Sequence, residues 1–342
     1  MTRRYIILTG IVLIATSILF TGCGNKTAGT SETDAKGEVI TLKLAHHASA
    51  KTPFALGGQK FADLVSERTG GAVKIEIYTD STLGGSSELV DALKIGTVDM
   101  TLTPASQLDK MYSAMDLFYL PFLFSDRDQV YKVADGDIGK SLFSELEAKS
   151  GLKTLGFFDS GFRTITNNVR EIKSPKDLKG LKMRVPLTPL LSDAFQAMGS
   201  IITPMDMSEL FTALQQGTVN GQDNPIGNVY SGSYYEVQPY ITLSNHSYAA
   251  ILLLVSDQGW KKIPDKYKSV IEKSAQEAAV WERKLAIDAD VEYLGKMKAF
   301  GVKVTELTPE QRKEFQDAVK PVREKYAKNI GEDLINKVLN IK

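Results

Sequence analysis

The chain has 342 residues, with 41 Lys plus Arg against 41 Asp plus Glu, and 43% of it is hydrophobic. Balanced charge without a basic stripe excludes the electrostatic footprint of a nucleic-acid binder. Cys23 is the single cysteine, so the body that follows it has no thiol for disulfides, Cys-based metal sites or Cys nucleophiles.

Arg3 and Arg4 precede an apolar run from Tyr5 to Phe20, and the small residues Thr21 and Gly22 follow. A basic start, an apolar stretch and a small-residue cut site make a secretory signal. Phe20-Thr21-Gly22-Cys23 resembles a bacterial lipobox, with Phe20 where Leu is usual. This reading makes residues 1–22 a signal peptide and Cys23 the lipidated first residue of the mature protein. A plain N-terminal membrane anchor with an incidental buried cysteine is the other reading. Residues 23–38 have no aromatic or large apolar residue and read as a flexible tether. The remaining body, about 300 residues, is long enough for two lobes.

Thr41 to Ala45 reads as a strand, and Thr52-Pro53 as a helix cap with a first-turn proline. That helix is expected to stop at Gly70-Gly71. Val73 to Tyr78 alternates and reads as a second strand. Continued alternation of helices and strands gives an α/β class with a largely parallel sheet in each lobe. Glu88-Leu89-x-x-Ala92-Leu93-x-x-Gly96-Thr97-Val98 returns as Glu209-Leu210-x-x-Ala213-Leu214-x-x-Gly217-Thr218-Val219. Each copy follows a serine, Ser87 or Ser208, able to cap a helix, and each ends on a glycine suited to a helix C-terminus. Ala249 to Val255, the longest apolar run of the body, reads as a buried strand. Pro264 to Phe300 reads as one long helix able to brace both lobes. Val302 to Leu307 adds a strand, and Thr308-Pro309-Glu310 starts a final helical region.

Catalytic material is sparse. The chain has three histidines, His46, His47 and His246. An adjacent pair at a strand end points to opposite faces and chelates poorly. No HExxH, GxSxG, Walker or GxGxxG pattern is present, so no metal and no cofactor is expected, and the chain does not read as an enzyme. His246 reads as structural. His47 ends a strand where α/β clefts open, so a cleft role and a structural role stand evenly. Arg163 follows an aromatic strand and reads as either a solvated loop charge or a ligand contact. Arg184 lies in Leu181 to Pro186, a segment otherwise fit for burial. A buried arginine needs an anion, here an internal carboxylate or a bound one. Asn224 stands before Pro225 in an amide-rich turn, where it either caps its own backbone or faces a ligand.

Leu181-Lys182-Met183-Arg184-Val185-Pro186, Pro204-Met205 and Glu209 to Pro225 together resemble the solute-binding proteins of TRAP (tripartite ATP-independent periplasmic) transporters, of the DctP type. The likeness runs from about Leu42 to beyond Trp260. It includes Leu83-Gly84, Gly96 to Met100, Asp177 to Gly180 and Tyr240 to His246. The resemblance implies a two-lobed periplasmic-binding-protein-like fold with a central ligand cleft and a long helix spanning both lobes. The expected lobes are 39–161 with 250–289, and 162–249 with 290–342. The resemblance further implies capture of an organic acid outside the cytoplasm and delivery to the small and large membrane subunits of a sodium-driven permease. A lipid-anchored sensor presenting its acid to a receptor is the alternative.

Carried over residue by residue, Arg184 forms the main salt bridge to the ligand carboxylate. Arg163 matches a second arginine, Asn224 the asparagine of the GQ-acid-NP turn, Met207 an apolar position at the ligand, and His47 the end of the first strand. Asn220 stands where the family usually has aspartate. Pro104 and Gln107 replace the acid and the arginine of sialic-acid binders. A smaller acid, such as a C4-dicarboxylate, a uronate or an aldonate, fits better.

Overall fold

The computed structural model describes residues 39–341. The expected signal peptide, Cys23 and the whole of the expected tether lie outside them. Among the described residues, no helix is long and apolar enough to cross a membrane.

The chain opens with β1 (Ile40–Ala45), α1 (Pro53–Arg68), β2 (Val73–Tyr78), α2 (Ser86–Ile95) and β3 (Met100–Pro104). Pro53 stands in the first turn of α1 as expected, but Thr52 does not cap it; its hydroxyl donates to the Ser49 carbonyl at 2.9 Å. Next come α3 (Arg127–Asp135), α4 (Asp137–Ser150) and β4 (Leu152–Asn167). After β4 follow α5 (Pro175–Leu178), β5 (Lys182–Val185), α6 (Pro189–Ala197) and β6 (Ile201–Pro204). The next group is α7 (Leu210–Gln215), β7 (Gly221–Pro225), α8 (Ile226–Ser231), β8 (Tyr240–Leu243) and β9 (Tyr248–Ser256). The chain ends with α9 (Asp257–Lys261), α10 (Asp265–Phe300), β10 (Lys303–Glu306), α11 (Pro309–Ile330) and α12 (Glu332–Leu339).

The strands run β2-β1-β3-β9-β4-β7-β5-β6, with β8 also on β4 and β10 on β8. The expectation of largely parallel sheets needs correction. β1 pairs in parallel with β2 and β3, β5 with β6 and β7, and β8 with β10. Every pair that includes β4 or β9 is antiparallel. Of these two central strands, β4 changes partners along its length. β4 lies along β9 from Leu152 to Phe162, then pairs with β7 and β8 through Asn167. β9 is buried along its whole length, in line with its unbroken apolar sequence.

The two echoed segments become α2 and α7, each with the turn that follows it. Gly96 and Gly217 adopt left-handed φ values of 80° and 70° and end their helices as expected. The serines do not cap. Gly85 and Asp206 stand at the N-caps, each two residues earlier. Asp206 Oδ1 accepts from the Ser208 N–H at 3.2 Å, and its Oδ2 accepts from the Ser86 N–H at 3.3 Å. A charged acceptor near both helix starts satisfies donors that a serine would otherwise take.

α10 is one 36-residue helix, about 54 Å long at the usual rise. It packs on α1 and β4 at one end and on α8 towards the other. Ala275, Ala278 and Ala279 join the apolar cluster under β1–β3, and Met297 joins the one around α7 and α8. Small residues on the buried stripe let the helix lie close to both bodies, which makes it the brace that its length implied.

Candidate ligand-binding site

Arg184 lies on β5, between Thr203 of β6 and Gln222 of β7. It is 3% exposed. Its Nε and Nη2 both donate to the Met205 carbonyl, at 3.0 and 2.8 Å. No carboxylate among the described residues forms an ion pair with it. Burial pushes its pKa down to about 10, against a smaller upward pull from Asp223, so it keeps its charge at neutral pH. The internal carboxylate that the sequence left open as its partner is therefore not there.

Arg163 is neither a loop charge nor solvated; it lies inside β4, opposite Pro225, and is 4% exposed. The aromatic strand continues through it because β7 and β8 supply pairing partners that the sequence does not reveal. Its Nε donates to Asp223 Oδ2, and its Nη2 donates to the Asp223 carbonyl at 2.7 Å. His246 holds the same carboxylate through Nε2 at 3.3 Å, while its Nδ1 meets Ser244 Oγ at 2.8 Å. His246 is thus structural, as expected. Burial alone would raise the Asp223 pKa, but Arg163 and His246 outweigh it and hold the carboxyl well below its usual range. The Tyr119 ring faces the Arg163 guanidinium at 5.9 Å.

Asn224 belongs to β7 rather than to a turn, and it is buried. Its Nδ2 donates to Gln222 Oε1 at 2.6 Å, and its Oδ1 accepts from Asn228 at 3.3 Å. A primary amide has two N–H groups, so one donor is left for a ligand. His47 is the second residue past the end of β1. Burial lowers its pKa to about 4 despite the nearby Asp206 carboxylate, so its imidazole is neutral. Its Nδ1 has no hydrogen-bond partner among the described residues. Met207 is half-buried at the start of a short 3₁₀ turn after β6.

One cavity of about 40 Å³ gathers Arg184, Arg163, Asn224, His47 and Met207. Pro104 and Gln107 also line it, so the residues that set this chain apart from sialic-acid binders lie at the cavity. Tyr119, Asp206 and Asn228 line it too and were missed from sequence. The acid of the GQ-acid-NP turn was the available signal for Asp223; nothing in the sequence around Tyr119 marked that residue. No nucleophile–base pair emerges in the cavity, and the fold and site define a two-lobed binding protein for small acids.

The family model for bacterial extracellular solute-binding protein, family 7 (DctP) matches residues 44–329. The 2,3-diketo-L-gulonate-binding periplasmic protein YiaO of Escherichia coli is 33% identical over 301 residues, 87% of this chain and 91% of that protein. The C4-dicarboxylate-binding periplasmic protein DctP of Rhodobacter capsulatus is 33% identical over 303 residues, 88% and 90%. A TRAP periplasmic solute-binding protein from Sulfurospirillum deleyianum, solved with bound succinate, superposes with a TM-score of 0.85 at 37% identity, covering 90% of this chain and all of that one. The chain belongs to the DctP family. It is an extracytoplasmic solute-binding protein that binds small carboxylates for TRAP transport with membrane permease subunits, and it is not an enzyme. The receptor-sensor alternative is not favoured.

Proposed function

We propose that Arg184 is the principal anchor for the ligand's carboxylate, with Arg163 and Asn224 in support and His47 and Met207 shaping the wall. The observation that carries this reading is the buried Arg184 guanidinium without an ion-pair partner. An unpaired buried charge is costly, and a ligand carboxylate removes that cost. A guanidinium fork matches a carboxylate in a way that an ammonium does not. Arg163 is already engaged by Asp223, which fits a secondary contact.

The ligand is a C4-dicarboxylate, a uronate or an aldonate, and the permease has a small and a large subunit driven by sodium. The lobes are 39–161 with 250–289, and 162–249 with 290–342, a division supported by the change of partners along β4. Calorimetry with organic acids tests the anchor. Arg184→Lys should lose about tenfold or more in affinity, roughly 1.4 kcal/mol. Arg184→Ala should lose more, and Arg163→Ala less than Arg184→Ala. Wild-type affinity in Arg184→Ala would remove Arg184 from the site.

The anchoring of the protein to the membrane rests on Cys23 and the lipobox-like Phe20-Thr21-Gly22-Cys23. Cys23→Ser should abolish lipid labelling and release or stall the protein. Labelling that persists in that variant would refute the assignment.

A further inference from the structure

Two guanidinium groups and one carboxylate line the cavity, those of Arg163, Arg184 and Asp206. Arg163 is neutralised by Asp223 behind it. Arg184 remains as the unpaired cation. Asp206 is fixed to the wall by donors from both sides, the Ser86 N–H and the Ser208 N–H and hydroxyl. Burial disfavours its charge, but the hydrogen bonds from the Ser208 N–H and hydroxyl and from the Ser86 N–H work against burial, and its pKa is lowered. The groove that continues outward past His47 and Met207 adds Asp80 and contains neither lysine nor arginine.

We propose that Asp206 makes this protein selective for a singly charged, polyhydroxylated acid over a dicarboxylate. The inference rests on Arg184 as the carboxylate anchor. Once one carboxylate occupies Arg184, a second finds no unpaired cation and shares the cavity with the Asp206 carboxylate. Two like charges held together in one partly buried cavity repel more strongly than the same charges apart in solution. A hydroxyl group instead donates a hydrogen bond to Asp206. Ser86, Ser160, Gln107 and Asn228 also line the cavity and carry neutral donors and acceptors. Hydroxyls along a sugar acid can use these groups, whereas the methylenes of succinate cannot.

Matched pairs isolate the charge: four-, five- and six-carbon aldonates against the diacids in which the terminal CH₂OH is a carboxylate, such as erythronate with meso-tartrate and galactonate with galactarate. Isothermal titration of the full chain at neutral pH should show at least one aldonate binding tenfold or more tightly than its diacid. Asp206→Asn keeps an acceptor oxygen for the Ser208 N–H and removes the charge, so it should shrink that ratio about tenfold by admitting the diacid. A merely structural role for Asp206 would weaken both members of a pair alike. The proposal is overturned if diacids or succinate bind the wild type as tightly as the aldonates, if no aldonate binds, or if Asp206→Asn leaves the ratio unchanged. Arg184→Ala separates the two readings. Loss of all acid binding in that variant keeps the anchor whichever class wins, and binding that survives it removes the anchor itself.

Discussion

Asp223 shows how a single carboxylate organises the site without lining it. It pairs with Arg163, accepts from His246 and is fully buried. Its pKa is lower in the folded protein than in the unfolded chain. The pair's stabilisation is therefore complete above the ordinary aspartate pKa, about 3.9, and is lost as pH falls towards the folded value. Asp223→Asn leaves the Arg163 charge buried and unpaired, so it should destabilise the protein by roughly 3–5 kcal/mol at neutral pH. Urea unfolding across a pH series should show that deficit shrinking below about pH 4. A deficit that stays constant down to pH 3 would mean that the ion pair is not its source. Legibility also varied residue by residue. Arg184 was readable as a buried charge because Met183 and Val185 flank it on a short apolar strand. The partner of Arg163 was not readable, because Asp223 is 60 residues away in sequence.

Among the elements, β4 carries the most consequence. Its pairing with β9 shifts register between Asp159 and Gly161. Gly161 has φ of +104°, and a Cβ there would stand 2.8 Å from Arg127 Nη2. That arginine is itself paired with Asp159 and Asp290, so it cannot simply swing away. Gly161→Ala should therefore cost roughly 1–3 kcal/mol in backbone strain, read as a lower Tm in thermal unfolding. It should also weaken acid binding, because Ser160 and Arg163 lie on the same strand. An unchanged Tm would show that β4 relaxes at this point without penalty. The sequence marked helix ends well, since Gly96, Gly217 and Gly301 act through local backbone geometry. It placed the caps less well. Asp206 reaches the start of α2 across 120 residues of chain, and such a contact has no local signature.

At the level of the whole molecule, segments before and after β4 already touch across the cavity. Ser86 meets Asp206 at 3.3 Å, and Thr188 meets Ser106 at 3.3 Å. These contacts beside the cavity hold the two segments together, and a ligand is expected to enter when the lobes part. Ligand binding should then shift the population towards this form. Small-angle X-ray scattering should show a smaller radius of gyration with saturating acid than without. Identical profiles at saturation would count against lobe closure as the binding step.

The sequence by itself determined the α/β class, the long α10, the buried β9 and the poverty of catalytic groups. These follow from periodicity, helix punctuation and residue type, all of which act over a few neighbouring residues. Its resemblance to the DctP family also singled out Arg184, Arg163, Asn224, His47 and Met207, which meet around one cavity. The tertiary structure decided the mixed strand directions, the neutralisation of Arg163 by Asp223 and the place of Asp206 beside the start of α2. Each depends on which distant segments become neighbours, and the electrostatics of a buried group are set by its neighbours in space. For that reason the charge balance of the cavity, one free guanidinium and one carboxylate, became readable only after the chain was folded.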